Sequence, residues 1–512
     1  MTHSTAQAPD PVSRHAAPPH ETPAHPNRWA ALAVLLIANF MNLLDVTIVN
    51  VALPSIEADL GATPEALEWV AAAYVLTFAA GLLPCGRFGD IFGRRKLFLI
   101  GLTMFTVTSA VCGFAPTIGT LIAARLAQGI GAAMMVPQVM AIVHVIFPAA
   151  EKGRVFGIFG TVASLGSVAG PIIGGALISA DIAGLSWRPI FLINLPLGLL
   201  ALIGTLRSVP DLPRSDRMRV DWAGMALFTL AIILLVLPLI EGRALGWPWW
   251  ISALMMVSIP AAYAFWRVER HREAAGLTEL LPSRLMANGR FMLGLATVTL
   301  FFAGIPGLFF ILAVFFQSGF DLTPLQSGLT TAPFPIGILL ASRLTSRFGE
   351  RYLSARLSIG ALFVACGMGL LQWAIRGTGA TLETTDFIAP LAIAGFGMGN
   401  AISAMFQSVL LNVPPRDAGS GAGAMQAFQQ VGAALGIALI GQIFFGSLAT
   451  AQGNDLGTAE TFKHAAAMAA LFPMGAFTII ALVHGVRALQ KPPRHGTPPS
   501  AASPSVPAPL AE

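Results

Sequence analysis

Apolar stretches of about 20 residues recur along nearly the whole of this 512-residue chain, from near Trp29 to Ala488. A bilayer core about 30 Å thick takes about 20 apolar helical residues per crossing. A chain with so many such stretches must place them in lipid or expose more hydrophobic surface than water tolerates. The recurrence predicts an all-α polytopic membrane protein. Only 11% of the residues are charged, against roughly a quarter in a soluble domain, which excludes a water-soluble enzyme and leaves no large soluble domain to place. Fourteen spans are expected, near 29–53, 67–86, 97–114, 117–138, 155–178, 189–206, 222–240, 248–266, 291–316, 325–344, 357–376, 387–412, 419–447 and 466–487.

Charge supports that count. With the N-terminus inside, the cytoplasmic segments hold about 25 of the 30 Lys and Arg, and the opposite face holds Arg188, Arg243, Arg376 and Lys463. This is the positive-inside bias, so both termini are expected in the cytoplasm and the net charge of +5 needs no nucleic-acid partner. The apolar run from Trp29 is too long for a signal peptide and reads as a retained first span. Residues 1–28 and 489–512 are rich in Pro, Ala, Ser and His and are expected to be disordered cytoplasmic tails. The tail histidines His3, His15, His20 and His25 match no metal-site spacing, so no metal is expected. Cys85, Cys112 and Cys366 lie in apolar stretches and are expected to be small core residues.

An internal echo organises the spans. Gly86-Arg87-Phe88-Gly89-Asp90-Ile91-Phe92-Gly93-Arg94-Arg95 follows the second span, and Ser342-Arg343-Leu344-Thr345-Ser346-Arg347-Phe348-Gly349-Glu350-Arg351 follows the tenth, with Arg, Phe, Gly and Arg in register. Gly166-x-x-x-Gly170 and Gly432-x-x-x-Gly436 repeat at the same offset of eight spans. A third echo aligns Gly129-Ile130-Gly131 with Gly397-Met398-Gly399, which sets Ile393 opposite Arg125. The expected organisation is a six-helix half over 29–207, two inserted helices with flanking loops over 208–289, and a second six-helix half over 290–488. Duplicated halves are a common plan of secondary transporters.

Several segments resemble a known family. Leu44-Asp45-x-Thr47-Ile48-Val49-Asn50-Val51-Ala52-Leu53-Pro54, Gly86-x-x-x-Asp90-x-x-Gly93-Arg94-Arg95, Arg125-x-x-Gln128-Gly129 and Gly166-x-x-x-Gly170-Pro171-x-x-Gly174-Gly175 are similar to motifs of the major facilitator drug:proton antiporters. With fourteen spans the chain resembles their EmrB/QacA subfamily. Trp187-Arg188-x-x-Phe191-x-x-Asn194-x-Pro196 and Asp221-Trp222-x-Gly224 match it too, whereas Ile91 stands where the family's first loop usually has a basic residue. The resemblance implies the major facilitator fold and drug:proton antiport.

Asp45 is the main functional candidate, because a carboxylate inside an apolar span costs several kcal/mol and marks a functional site by default. At 1.5 Å per residue it lies roughly 25 Å from the cytoplasmic edge, and Arg125 roughly 12 Å from the outer one. The two could meet in the outer half of the membrane. There an opposing guanidinium would favour the carboxylate and desolvation the acid, leaving a group able to load and release a proton. A static ion pair tying spans 1 and 4 together is the alternative. Asn39, Asn42 and Asp45 share much of one helical face and can form a polar cavity wall, with Asn50 nearby.

In the loop after span 2, Gly86 and Gly93 allow tight turns, and Asp90 can reach Arg94, Arg95 or a neighbouring helix end as a conformational latch; the alternative is that the basic residues simply obey topology. Gly166, Gly170, Pro171, Gly174 and Gly175 permit close packing or a pivot. Gln317, Asn400, Gln407, Gln426, Gln429 and Gln430 are candidates for a substrate wall or for interhelical hydrogen bonding. No acid stands clearly mid-span in the second half: Asp321 lies near a span end, Glu383 and Asp386 in an outer loop. Proton handling is thus assigned to the first half.

No lysine follows a glycine, which excludes a phosphate-cradling loop and ATP drive. His144 and His484 are far apart and lack acidic neighbours, so an enzyme is not expected. The expected function is proton-coupled export of amphipathic small molecules across the inner membrane by alternating access, with lipid, substrate and protons as partners, no cofactor and no nucleic acid. Proton-coupled uptake of an organic solute and a membrane sensor or enzyme remain the alternatives. The sequence is silent on substrate identity and on any periplasmic adaptor.

Overall fold

The computed structural model describes residues 26–212, 220–242, 245–345, 352–379, 381–414, 417–452 and 458–490, all helix and connecting turns with no strand among them. The first half contains α1 (Arg28–Leu60), α2 (Pro64–Phe92), α3 (Arg94–Gly113), α4 (Ile118–Ile146), α5 (Ala149–Ser179), the short α6 (Pro189–Leu192) and α7 (Asn194–Ser208). The inserted pair is α8 (Trp222–Glu241) and α9 (Trp249–Ala274), followed by the single turn α10 (Ser283–Met286). The second half contains α11 (Gly289–Ala303), α12 (Pro306–Phe320), α13 (Pro324–Thr331), α14 (Pro333–Thr345), α15 (Leu353–Gly377), α16 (Ile388–Leu410), α17 (Ala418–Gln452), α18 (Thr458–Ala469) and α19 (Leu471–Leu489).

Local chemistry sets these boundaries. Gly61 ends α1 in the left-handed region at φ +62°, where a side chain would be strained. Thr63 then caps α2 by accepting from the Ala66 amide, with Pro64 at the first helical position. Thr323 opens α13 with a reciprocal capping box to Gln326. Pro306 and Pro333 begin new helices after short breaks, because proline has no amide proton to continue the preceding ladder.

Twelve of these helices or helix pairs are long and apolar enough to cross a membrane among the described residues. At the other two of the fourteen expected positions stand α5, whose described apolar stretch is Ala169–Ser179, and the pair α13 and α14, split by Pro333 into pieces too short to cross alone. The chain is a multi-pass membrane protein. Its inserted helix α9 shows why: Trp249, Met256, Ile259 and Tyr263 are each more than half exposed, a surface suited to lipid.

Three expectations are corrected. The segment from Gly86 to Lys96 is not a loop, since α2 continues through Phe92 and the whole turn into α3 is Gly93, at φ +102°. Cys366 is exposed on α15, unlike the buried Cys85 and Cys112. The third echo shifts by two residues: Gly131 packs on Gly101 of α3 as Gly397 packs on Gly360 of α15, while Gly129 and Gly395 meet the carbonyls of Tyr74 and Phe334. Leu391, rather than Ile393, therefore stands opposite Arg125. The Ser346–Arg351 part of the first echo, Arg243 and nearly all of both tails lie outside the described residues.

The halves meet most firmly at the face away from Arg28, called distal here. Gln317 donates to the Val51 carbonyl at 2.9 Å, and the Leu325 amide donates to Ser179 Oγ at 3.2 Å. A methyl at Gly175 would lie 2.6 Å from the Pro324 carbonyl. At the proximal face Arg87 of α2 reaches Ser420 of α17 at 3.0 Å. The inserted α8 seals the α2–α17 seam: Thr229 donates to the Ala80 carbonyl, Trp69 donates to Glu241, and Gln442 donates to the Leu239 carbonyl.

Candidate functional site

Four helices bring a polar cluster into the core of the first half. Asp45 sits in the middle of α1, fully buried, and Arg125 two turns into α4, 1% exposed. Their side chains form an ion pair, Arg125 Nη1 to Asp45 Oδ2, at 2.5 Å. Gln128 is three residues after Arg125 and so shares its face of α4. It accepts from Arg125 at 2.7 Å and donates to Asp45 Oδ1 at 2.8 Å. Asn194, at the start of α7 just past the break after α6, donates to the same oxygen at 3.3 Å. Ser109 of α3 accepts from both amides.

The guanidinium is fixed from several sides. Its Nε donates to the Val70 carbonyl at 3.1 Å, its plane lies 4.4 Å from the Tyr74 ring centroid, and Phe191 stands at 5.9 Å. A cation over an aromatic face is attracted by the ring quadrupole, more strongly when desolvated. The Tyr74 hydroxyl in turn donates to Asn42, one turn before Asp45. The paired charges offset a desolvation cost that either alone would leave uncompensated. Arg125 also lines a small cleft between the halves, with Val46 and Asn50 of α1, Val75 of α2, Pro306 of α12 and Ile437 of α17. The cluster is therefore one side chain removed from the inter-half space.

Other candidates divide. Asn39 is half-buried and makes none of the bonds of this cluster. Asp90 pairs with Arg94 at 2.9 Å and lies 4.0 Å from Arg87, while Arg94 also holds the Ala141 carbonyl and Arg95 the Leu206 carbonyl. These contacts tie the ends of α2, α3, α4 and α7 together at the proximal face. Gly89 allows α2 to touch Gln138, whose Oε1 would be 1.9 Å from an added methyl, whereas a methyl at Gly86 would make only an ordinary contact with Pro137 at 3.9 Å. Along α5, Gly166 packs on Leu43, Gly170 on Thr47 and Gly174 on Ile48, and the Pro171 carbonyl meets Gly328.

The second-half candidates divide as well. Gln317 bridges the halves, and Asn400 donates to the Arg356 carbonyl at 3.1 Å. Gln407 keeps a buried Oε1 without a donor, and Gln426, Gln429 and Gln430 are half-buried. His484 meets Thr297 at 3.1 Å.

Five side chains of the first half escaped the sequence reading as site residues: Tyr74, Ser109, Gln128, Asn194 and Glu68. Tyr74 is one of only three tyrosines in the chain and lies inside a span, a signal that could have singled it out. Glu68 is fully buried and lies against Gly441 of α17, where an added methyl would meet its Oε1 at 2.8 Å.

The family model described as Major Facilitator Superfamily matches residues 35–437. The chain belongs to the Major Facilitator Superfamily. Within that superfamily it is 36% identical to the probable actinorhodin transporter of Streptomyces coelicolor, over 85% of this chain and 76% of that protein. It is 32% identical to the puromycin resistance protein pur8 of Streptomyces alboniger, over 90% and 91%. The drug-resistance and antibiotic-export members of the superfamily are thus its relatives. Among solved structures it resembles an auto-inhibited POT family peptide transporter (TM-score 0.66, 16% identity, 93% of this chain and 99% of that one). It also resembles the human organic anion transporter MFSD10 (0.60, 17%, 90% and 100%). At such identities the structures establish the major facilitator fold alone.

Proposed function

We propose that this chain is a proton-coupled exporter of amphipathic organic compounds, with Asp45 as the proton-binding group and Arg125 as the charge that competes for it. The observation that carries this reading is the buried Asp45–Arg125 pair at the edge of the inter-half cleft. A carboxylate held by Arg125, Gln128 and Asn194 is poised to be ionised while these helices stay together. When α1 and α4 shift against each other within the first half during the transport cycle and the pair separates, the same carboxylate becomes an isolated buried charge, which favours taking up a proton. Alternating access then couples proton entry to substrate exit.

The proximal face is assigned to the cytoplasm, both termini with it, and the chain to the cell inner membrane. The assignment rests on the basic residues concentrated at that face. The relatives' names, an actinorhodin transporter and a puromycin resistance protein, favour export over uptake and amphipathic antibiotics as the substrate class. Driving purified protein in liposomes with a pH jump tests the reading: uphill substrate movement that collapses with an uncoupler is expected, and movement indifferent to the proton gradient would overturn it.

A further inference from the structure

A second pair of acids lies outside this site, where the two inserted helices meet the connection to the second half. Asp221 caps α8, accepting from the Gly224 amide at 2.9 Å. Glu269 projects from the last turns of α9. Asp221 is 4% exposed and Glu269 fully buried. One Glu269 oxygen, Oε2, accepts from the Leu280 and Leu281 amides at 2.7 and 3.1 Å, which pins the returning chain. The other, Oε1, has no donor among the described residues, and Asp221 Oδ2 has only the Arg272 guanidinium beside it, an ion pair without hydrogen-bond geometry.

These two vacant acceptors face each other. A methyl added to Gly224 would lie 2.3 Å from Asp221 Oδ2 and 2.4 Å from Glu269 Oε1, so both oxygens point into one small space. Two ionised carboxylates are acceptors only and cannot hydrogen-bond each other. A hydrogen carried by one of them turns two facing acceptors into a hydrogen-bonded pair.

The surrounding charges agree. From α9, Arg272 Nε stands 3.2 Å from Asp221 Oδ2 and balances one negative charge. From α2, Arg87 borders the same pocket, as does Glu279 of the connection. Burial raises the Glu279 carboxyl above its ordinary range, with Glu273 adding to the rise. Arg284 is engaged by Glu273 at 3.0 Å and by Asp417 of the second half at 2.6 Å. No cation is left within hydrogen-bonding reach of Glu269 among the described residues.

We infer that Glu269 and Asp221 together bind a single proton, shared between Oε1 and Oδ2, which fastens the connection after α9 onto α8. This proton is separate from the one at Asp45 and does not depend on transport. Raising the pH removes it and leaves two carboxylates facing each other in a buried space, which loosens this junction. Because Arg284 carries the same junction to Asp417 of the second half, the bound proton sets how firmly the inserted helices hold both halves.

The test uses the full chain in lipid nanodiscs. Infrared difference spectra across neutral to alkaline pH should show the loss of a protonated carboxyl band, and the parent's melting temperature should fall by several degrees over that range. Glu269→Gln keeps an acceptor for Leu280 and Leu281 and a permanent donor toward Asp221. It should remove that component of the band and flatten the pH dependence of melting. Asp221→Asn should shift or remove the same component. A band unchanged in both variants would overturn the inference. So would a parent whose alkaline melting temperature is restored by sodium or potassium without any carboxyl band, because the pair would then hold a metal cation.

Discussion

The cores of the two halves are built on one scaffold and filled with opposite chemistry. Gly166 and Gly170 of α5 pack on Leu43 and Thr47 of α1 as Gly432 and Gly436 of α17 pack on Thr299 and Ala303 of α11. Two residues along that register, Phe301 stands where the first half has Asp45. The matched packing of Gly131 on Gly101 and of Gly397 on Gly360 sets Leu391 opposite Arg125, Ala394 opposite Gln128 and Met368 opposite Ser109. Phe334 replaces Tyr74. All five of these second-half residues are apolar and at most 4% exposed. Where one half holds a charged network, the other holds aromatic and aliphatic packing, with Phe301 edge-on to Phe477 at 5.0 Å.

That difference separates two tasks that duplication first gave to both halves. Glycine contacts set how closely helices approach and stand in both halves, where an added methyl would collide with side chains of α1 in one and with backbone carbonyls of α11 in the other. The scaffold does not by itself call for buried charges, since an apolar core fills the same places in the second half. A buried pair is weak evidence for stability, so its survival in one half points to function.

The comparison can be broken most severely at its centre. Asp45→Asn keeps the shape and removes the titratable group, so uphill export in liposomes should fall to background while the purified protein remains folded. Parental uphill export in that variant would move coupling elsewhere. Placing the charge in the other half should be costly in a different way: Phe301→Asp leaves an unpaired acid in an apolar core, at about 3 kcal/mol or more, and should lower the yield of folded protein sharply. Adding Leu391→Arg should recover part of that yield if the register given above is right, and no recovery would show that the two positions do not meet.

Smaller effects sharpen the same contrast. Arg125→Ala removes the positive charge that favours the Asp45 carboxylate, so the pH profile of transport should move to higher pH, measurable as rate against internal and external pH. An unchanged profile would dissolve the proposed competition. Asp90→Asn loses the contacts to Arg94 and Arg87 far from the cleft and should slow turnover several-fold at unchanged substrate binding. Turnover at the parental rate with matched expression would reduce this region to topology. Tyr74→Phe should be mildest, since the ring stays under Arg125 and one buried hydrogen bond to Asn42 is lost, at about 1 kcal/mol. Thermal melting in detergent would read that cost, and a loss much larger than this would mean that the hydroxyl also orients Asp45.

Much of the site was legible along the chain because its signals are local. A lone acid in an apolar span is conspicuous by its desolvation cost, and Gln128 follows Arg125 at the spacing that puts both on one helical face. Ser109 and Asn194 carried no such signal, since a neutral polar residue in a span serves equally as interhelical glue. Gly93 illustrates the converse: five glycine and charged motif residues point to a loop, yet helical hydrogen bonding continues through Asp90 and a single positive-φ residue makes the whole turn.

By itself the sequence determined that this chain is an all-helical, multi-pass membrane protein of the major facilitator kind with an intramembrane acid in its first half. Those features follow from segment length, hydropathy and the cost of burying charge, which are properties of residues and their near neighbours. Only the tertiary structure decided that Asp45 meets Arg125, that Phe301 and Leu391 are their counterparts, and that Asp221 faces Glu269. Each of these depends on the rotation and depth at which one helix packs on another. Glycine contacts between residues distant in sequence fix that geometry, and no local pattern encodes it.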